Sequence, residues 1–364
     1  MRVIVIGSGI AGAATAYHLA RRGAEVVVVD SERPGMATAA GAGIVSPWTS
    51  RRSGAEYRLA ARAAAYYPEL VARLAEDGQR DTSYEVIGGM VVSADEDELA
   101  DARRRAETRA QREPTAGEVR RLDPAQAREL FPPLAPELGA VHVSGAARVD
   151  GRRFREALLA AAAVRGAEHR TGRAELTGRG ARVDGDPLDA DAVVVAAGAW
   201  STELLAPLID LEVSPQRGQI SHFELPGIDT TRWPVVLPVS SHYLLAFPGS
   251  RVVAGATRET GSGFDHRVTA AGQREVLEHA LAVAPGLADA TLLETRVGFR
   301  PASADGAPLL GPVPGHPRLL LATGFGPAGL NIAPYAGSLV AALALGEEPA
   351  IAVDEFGPGR FATR

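Results

Sequence analysis

Three groups of residues have types and spacings that can do chemistry. In RVIVIGSGIAG, Gly7, Gly9 and Gly12 stand in the order G-x-G-x-x-G, and Asp30 follows eighteen residues after Gly12. Such glycines permit a tight bend, close approach of backbone to a pyrophosphate, and close packing of helix on strand. The free N–H groups of Ile10 and the residues after it then face the negative charge. Asp30, with Ser31 beside it, can accept hydrogen bonds from ribose hydroxyls and repels a 2′-phosphate, which favours NAD or FAD over NADP. An ordinary strand-to-helix turn has the same pattern. The second group is Arg300 in VGFRPASADGAPLLG. An arginine beside proline and glycine is commonly a solvated charge, whereas a partly buried one needs an anion such as a substrate carboxylate. The third is GFGPAGLN, at 324–331. Its N–H groups can stabilise negative charge on a reduced flavin, or it is simply a helix capped by a glycine loop.

Two shorter stretches are open to the same double reading. The small residues of TAAGAGIVSP (38–47) either lie against a flat ring at close range or form a surface loop. AAGAW (196–200) either ends a strand or clears space for a nucleotide at Ala197 and Gly198.

Composition removes several alternatives. The chain has 364 residues and no cysteine, so disulfides, zinc–thiolate sites, thiol nucleophiles and cysteinyl flavin links are excluded. It also has no lysine: all 38 basic residues are arginine. Schiff-base chemistry and the phosphate-binding P-loop both need that amine. A net charge of −6 without a basic block speaks against nucleic acid as a partner. Eight histidines are scattered without metal-ligand spacing, so no metal is expected. No apolar run approaches the roughly 20 residues of a membrane helix. The first residues lead straight into a strand, so a soluble, cytoplasmic protein without a leader is the expectation.

Those residues need elements to hold them. The unbroken Val/Ile run at 2–6, the Ala-rich helix at 10–21 and the strand AEVVVVD at 24–30 form a βαβ unit around the glycines. Helices are expected at 55–77 (with a proline that kinks or restarts it), 95–113, 123–130, 151–165, 270–283 and 329–345. YEVIGGMVVS (84–93) reads as a hairpin. Buried strands are expected at 191–200 and 318–324, and short β runs fill 213–257. Segments of α/β texture thus flank two β-rich insertions.

Together these stretches resemble the D-amino acid oxidase superfamily of FAD enzymes, with a flavour of bacterial glycine oxidases and D-amino acid dehydrogenases. IGSGIAGAATAYHLARRGAEVVVVD is similar to its FAD fingerprint, and ATAAGAGIVSPW to its flavin-contact loop. GFRPASADGAPLLGPV resembles its G-x-R-P-x-x-x-D-G-x-P-x-x-G segment, and ATGFGPAGLNIAPYAG its C-terminal flavin loop. The resemblance covers nearly the whole chain in the right order. It implies an α/β fold: a Rossmann-like FAD domain (1–79, 140–212, 297–364) interleaved with an α+β substrate domain on an antiparallel sheet (80–139, 213–296).

The resemblance also assigns roles. Arg300 binds the substrate carboxylate with Tyr243 close by. Thr38, Ala39, Gly43 and Ile44 lie along the flavin, Gly329, Leu330 and Asn331 meet its pyrimidine edge, and Ala174 lies near the adenine end. The chain lacks the lysine that sarcosine oxidases use towards oxygen, and the loop at 36–50 has no histidine for covalent attachment. Non-covalent FAD follows, with a small amino acid as substrate and O2 or another acceptor as oxidant. Secondary amino acids, an FAD-binding subunit of a larger amine dehydrogenase, and an NAD dehydrogenase are the competing readings. Oligomeric state is not legible.

Overall fold

The computed structural model describes residues 1–240 and 242–361. Its first sheet has six strands in the spatial order Leu309–Val313, His316–Thr323, Ala192–Val195, Arg2–Ile6, Glu25–Asp30, Glu168–Thr171. All neighbours run parallel except the first pair. The strand Arg2–Ile6 is central, and the chain leaves it to one side for Glu25–Asp30 and to the other for Ala192–Val195. Such a reversal of strand order opens a crevice at the carboxyl ends of the strands.

The Val/Ile runs are buried on both faces, and their side chains alternate between two cores. Val3, Val5, Val26, Val28 and Val194 pack with the helices Ile10–Arg21, Gly54–Glu76, Gly151–Val164 and Gly329–Ala344. Ile4, Ile6, Val27, Val29, Val193 and Val195 pack instead with Ala181, Val183 and Leu188 of a three-stranded antiparallel sheet (Ala174–Thr177, Gly180–Val183, Asp186–Asp189). Continuous apolar runs, rather than polar alternation, are what such two-sided burial requires.

The second sheet has eight strands in the order Thr291–Ser303, Val213–Glu224, Arg251–Gly255, Tyr243–Phe247, Val235–Pro238, Gly89–Ser93, Gly139–Val143, Val119–Leu122. It is antiparallel but for one parallel pair, Val235–Pro238 with Gly89–Ser93. Two expectations are corrected here. Residues 84–93 are not a hairpin: Glu85–Val86 pairs with Ala147–Arg148, while Gly89–Ser93 joins the large sheet. The pair Gly88–Gly89 lets the chain pass from one sheet to the other, where a hairpin would have turned it back on itself. The β runs after 213 are also not all short, since Val213–Glu224 has 12 residues and pairs along its length with the 13 of Thr291–Ser303, with a bulge at His222/Phe223. Pro68 does not restart the helix Gly54–Glu76, which runs through it without a break. The helices at 96–110, 124–130 and 270–283 stand where the periodicity puts them.

The helix layer carries a pH dependence. His18 is buried against Tyr66, and burial together with Arg22, Arg73 and Arg21 pushes its pKa down to about 3. His222 is buried on the other sheet and is pushed down to about 4 by burial and by Arg296. Both folded values lie below the ordinary 6.5 of an unfolded chain, so the unfolded state binds more protons between pH 6.5 and 4. Stability contributed by the two neutral rings is therefore full above pH 6.5 and lost as pH falls, at up to roughly 1.4 kcal/mol per pH unit per histidine. Melting temperature is expected to drop across pH 6.5 to 4 and the drop to shrink in His222→Phe; an unchanged slope would remove His222 from this account.

Candidate active site

A cavity of ≈ 570 Å³ opens at the carboxyl ends of the parallel strands and extends to the large sheet. At one end lie Gly7, Gly9, Ile10, Asp30 and Ser31, with Ala174 beside Arg173 and Glu175. Gly7 has φ +104°, and a Cβ there would sit 2.4 Å from the Ala196 carbonyl oxygen. Only glycine lets the turn press against the strand end Ala196–Ala197. Gly9 precedes the helix Ile10–Arg21 and has no side chain to cap it. The Ile10 N–H donates instead to Thr38 Oγ1 at 2.9 Å, which ties the loop at 37–44 to the nucleotide turn.

Asp30 does more than wait for a sugar. Its Oδ2 accepts from the Ser8 N–H and hydroxyl at 2.5 and 2.6 Å, and its Oδ1 from the Glu32 N–H at 2.7 Å. The carboxylate thus fixes the glycine turn while keeping lone pairs for a further donor. Asp30→Ala is expected to lower FAD retention by about 1.5–3 kcal/mol, the scale of a hydrogen bond to a charged group. Equilibrium dialysis with flavin absorbance measures it. Undiminished flavin content would show that Asp30 only orders the turn.

The middle of the cavity is walled by the short helix Ala37–Ala40 and the residues after it. Gly43, at φ +91°, is required because a Cβ would fall 1.7 Å from the Val149 carbonyl oxygen. Thr38, Gly43 and Ile44 line the cavity, as do Ala197 and Gly198. Ala39 does not: its carbonyl faces Arg152, whose Nε donates to it at 3.1 Å, on the outer side of the loop. Gly12 is likewise absent from the lining, because it sits one helical turn in and packs on Gly7.

The C-terminal helix Gly329–Ala344 starts at the cavity wall, and its N-terminus carries no side-chain cap. Gly329, Leu330 and Asn331 line the cavity there. The Leu330 carbonyl accepts from the Tyr67 hydroxyl, while Asn331 Oδ1 is buried without a protein partner. Two helix N-termini, a buried unsatisfied amide oxygen and a glycine cradle that any Cβ would fill suit a long, anionic, hydrogen-bonding cofactor such as FAD.

Arg300 and Tyr243 stand on the large sheet and line the other end of the same cavity. The Arg300 guanidinium lies flat over Gly218, where a Cβ would meet its Cζ at 2.6 Å. Its Nη1 donates to the Thr257 carbonyl at 2.9 Å, and no described carboxylate forms an ion pair with it. The nearby Glu259 is already taken: Arg217 donates to it from Nε and Nη2 at 3.0 and 2.6 Å, and Gln219 and Thr257 at 2.7 Å each. Burial pushes the Arg300 pKa down, the direction of a cation short of a counter-charge, and pushes the Tyr243 phenol up, which keeps it a donor. Tyr243 has room because Gly255, its partner across the strand pair, would otherwise bring a Cβ to 2.8 Å of the hydroxyl.

Sequence reasoning missed several residues of the wall. Met36, Trp200, Phe299 and Phe325 add apolar surface, Arg33 pairs with Glu203 at 2.7 Å, and Arg258 lies at the substrate end. Trp200, Phe299 and Phe325 stand inside stretches the sequence singles out (AAGAW, VGFRPASADGAPLLG and GFGPAGLN), but only packing reveals that their rings wall the cavity; Arg33 and Arg258 belong to no such stretch. Among the described residues no cluster of His, Asp and Glu could hold a metal, and no helix is long and apolar enough to cross a membrane.

Comparison with known proteins agrees with this geometry. The family model described as FAD dependent oxidoreductase (DAO) matches residues 2–343. The chain is 46% identical to the uncharacterized oxidoreductase YurR of Bacillus subtilis (strain 168), over 98% of both chains. It is 33% identical to a glycine oxidase of Pseudomonas putida, again over 98% of both. Among solved structures, iminodiacetate oxidase (IdaA) from Chelativorans sp. BNC1 superposes with a TM-score of 0.96 at 47% identity, over 98% of this chain and 99% of that one. The expected fold, the FAD cofactor and the oxidoreductase class are thereby established, and the NAD reading falls away. The chain belongs to the DAO family of FAD-dependent oxidoreductases, enzymes acting on amino-acid-like substrates.

Proposed function

We propose that the protein oxidises the Cα–N bond of a small amino acid, glycine or a D-amino acid, to an imino acid. One observation carries this: a single cavity is lined both by the dinucleotide turn and by Arg300 with Tyr243. Arg300 offers two parallel N–H groups to a carboxylate, and Tyr243 offers a hydroxyl. Held so, the substrate's Cα has one orientation, and catalysis is mainly that positioning. Bound FAD supplies the acceptor for the two electrons and hydrogen that leave Cα, and O2 or another carrier takes them on. The amine gives its proton to solvent, since the lining acids, Asp30, Glu175 and Glu203, belong to the nucleotide end. Water then adds to the imine and the C–N bond breaks, giving an oxo acid and ammonia.

In this reading segments 1–79, 140–212 and 297–364 serve the cofactor, and 80–139 and 213–296 the substrate. Strand Gly139–Val143 pairs in the substrate-side sheet, and Thr291–Ser303 spans both. Neither histidine nor cysteine lines the cavity, which supports non-covalent FAD. A second reading keeps the chemistry but takes secondary amines, N-methyl, cyclic or N-carboxymethyl amino acids; the likeness to an iminodiacetate oxidase supports it. The product is then an amine or a ring-opened acid instead of ammonia. The test is an anaerobic panel of D-, L- and N-substituted amino acids scored by flavin bleaching, with acid precipitation of the protein. Bleaching by an amino acid and yellow supernatant are expected. Flavin left in the pellet would overturn non-covalent binding, and no bleaching by any amino acid would overturn the function.

A further inference from the structure

We propose that Arg258 binds a second carboxylate, so that the preferred substrates are dicarboxylic amino or imino acids. The inference rests on reading the cavity as an amino-acid-oxidising site, with the first carboxylate on Arg300 and Tyr243. Arg258 lies three residues beyond Gly255, the strand partner of Tyr243, and lines the same cavity as Tyr243 and Arg300. Its side chain is exposed, which places it at the opening and not in the depth.

No described carboxylate pairs with Arg258, and three acids of this part of the chain and its neighbours are engaged elsewhere. Glu259 is held by Arg217, Gln219 and Thr257. Asp265 is held by Arg217 at 2.9 Å and by Arg267 at 2.9 Å. Glu56 pairs with Arg52 at 2.7 Å, and the Arg258 charge adds to the downward push on the Arg52 pKa. The same charge acts on Tyr243, His242 and Arg300, each in the direction that a nearby cation imposes. Among the described residues that line the cavity, the substrate end therefore holds two guanidinium groups and no carboxylate, while the lining acids sit at the nucleotide end.

Charge complementarity decides the ligand class. A monocarboxylic amino acid with its amine deprotonated carries one negative charge, which Arg300 alone can match. Arg258 then meets only water, and its repulsion of Arg300 remains. A substrate with a second carboxylate, on the nitrogen substituent or the side chain, satisfies both cations. The chemistry is unchanged: the Cα–H electron pair still goes to bound FAD, and only the recognition is new.

The experiment uses FAD-loaded wild type, Arg258→Ala and Arg258→Lys. Substrate pairs differ in the second carboxylate: iminodiacetate against N-methylglycine, and D-aspartate against D-alanine. Wild type is expected to favour the dicarboxylate of at least one pair by tenfold or more in kcat/KM. In Arg258→Ala that ratio is expected to fall within about threefold of unity, chiefly through KM, and Arg258→Lys to keep part of it. Thiodiacetate, which has no C–N bond to oxidise, provides a readout without turnover: its Kd, followed by the flavin absorbance shift, is expected to weaken in parallel. A wild-type ratio near one, or an Arg258→Ala variant that lowers both members of a pair equally, overturns the inference while the amino-acid reading stands. If none of the four compounds reduces the flavin this inference is overturned, and the amino-acid reading falls with it only where glycine and the rest of the amino-acid panel also leave the flavin oxidised.

Discussion

Arg300→Ala is expected to lose roughly 30- to several-thousand-fold in affinity for the amino acid while keeping its FAD. The range corresponds to about 2–5 kcal/mol for removing one partner of a hydrogen-bonded charge pair, part of it from the carboxylate left unmatched. Geometry puts this variant at the high end of single-site effects. The guanidinium is pressed over Gly218 and anchored by Nη1 to the Thr257 carbonyl, which leaves its remaining N–H groups for a ligand. No carboxylate of the described protein competes for them, since Glu259 is saturated by Arg217, Gln219 and Thr257. Arg300→Lys is expected to recover little, because an ammonium cannot make two parallel hydrogen bonds. Amines lacking a carboxylate are expected to be poor substrates of the wild type for the same reason.

The check is a reductive titration of the three proteins, with flavin content and melting temperature measured alongside. Loss of the Thr257 bond is a modest structural change, about 1 kcal/mol, so a variant that is cold-labile or flavin-free would point to a scaffold role instead. Unaltered amino-acid affinity in Arg300→Ala would remove the arginine from substrate binding altogether. The cofactor assignment would survive that result, since the residues that cradle FAD are on other elements.

How much of this was legible before folding depends on whether a residue acts through its neighbours in sequence or in space. The nucleotide turn is local: a strand, three glycines, a helix and Asp30 lie within 30 residues, and each role follows from backbone constraint. The central parallel strands at 2–6, 25–30 and 192–195 were legible because two-sided burial writes itself as continuous Val and Ile, whereas the edge strand Glu168–Thr171, polar and exposed, was not. The passage at 84–93 was not, because two short β runs separated by glycines look the same whether they pair with each other or with distant strands. The roles of Trp200 and Phe299 in the cavity wall were hidden for the same reason: both stand in stretches the sequence marks out, but their rings meet through packing that spacing does not reveal. Arg258 is the plainest case. An arginine following a strand has no local signal, and its meaning comes from the cavity it lines, where no described carboxylate pairs with it.

The glycines themselves give the sharpest structural contrast. Gly12→Ala is expected to destabilise the protein by about 2 kcal/mol or more and to strip it of FAD, although alanine is the better helix former. Propensity favours the change by about 0.5–1 kcal/mol, because Gly12 lies inside the helix Ile10–Arg21. Packing opposes it. A Cβ at Gly12 would sit 1.8 Å from the Gly7 carbonyl oxygen, so backbone must move. Gly7 cannot yield easily, for its N–H is bonded to the Val29 carbonyl at 2.8 Å and it lies so close to Ala196 that even a Cβ would fall 2.4 Å from that residue's carbonyl oxygen. The helix cannot yield easily either: on its other side a Cβ at Gly337 of the C-terminal helix would already come within 2.7 Å of the Ala14 Cβ. Overpacking of this kind costs about 1–3 kcal/mol and occasionally more, which exceeds the propensity gain. Gly9→Ala makes the matched control. Its Cβ would touch only Thr38 Oγ1, at 3.5 Å, and its φ of −60° is open to alanine. That variant is expected to fold within about 1 kcal/mol of wild type yet bind FAD poorly, because the methyl faces the cavity where the pyrophosphate must approach. Thermal melts and flavin-to-protein ratios separate the two outcomes. A Gly12→Ala protein with wild-type melting temperature and full flavin would show that the helix start has slack, and that the close contact with Gly7 does not set the geometry of the turn.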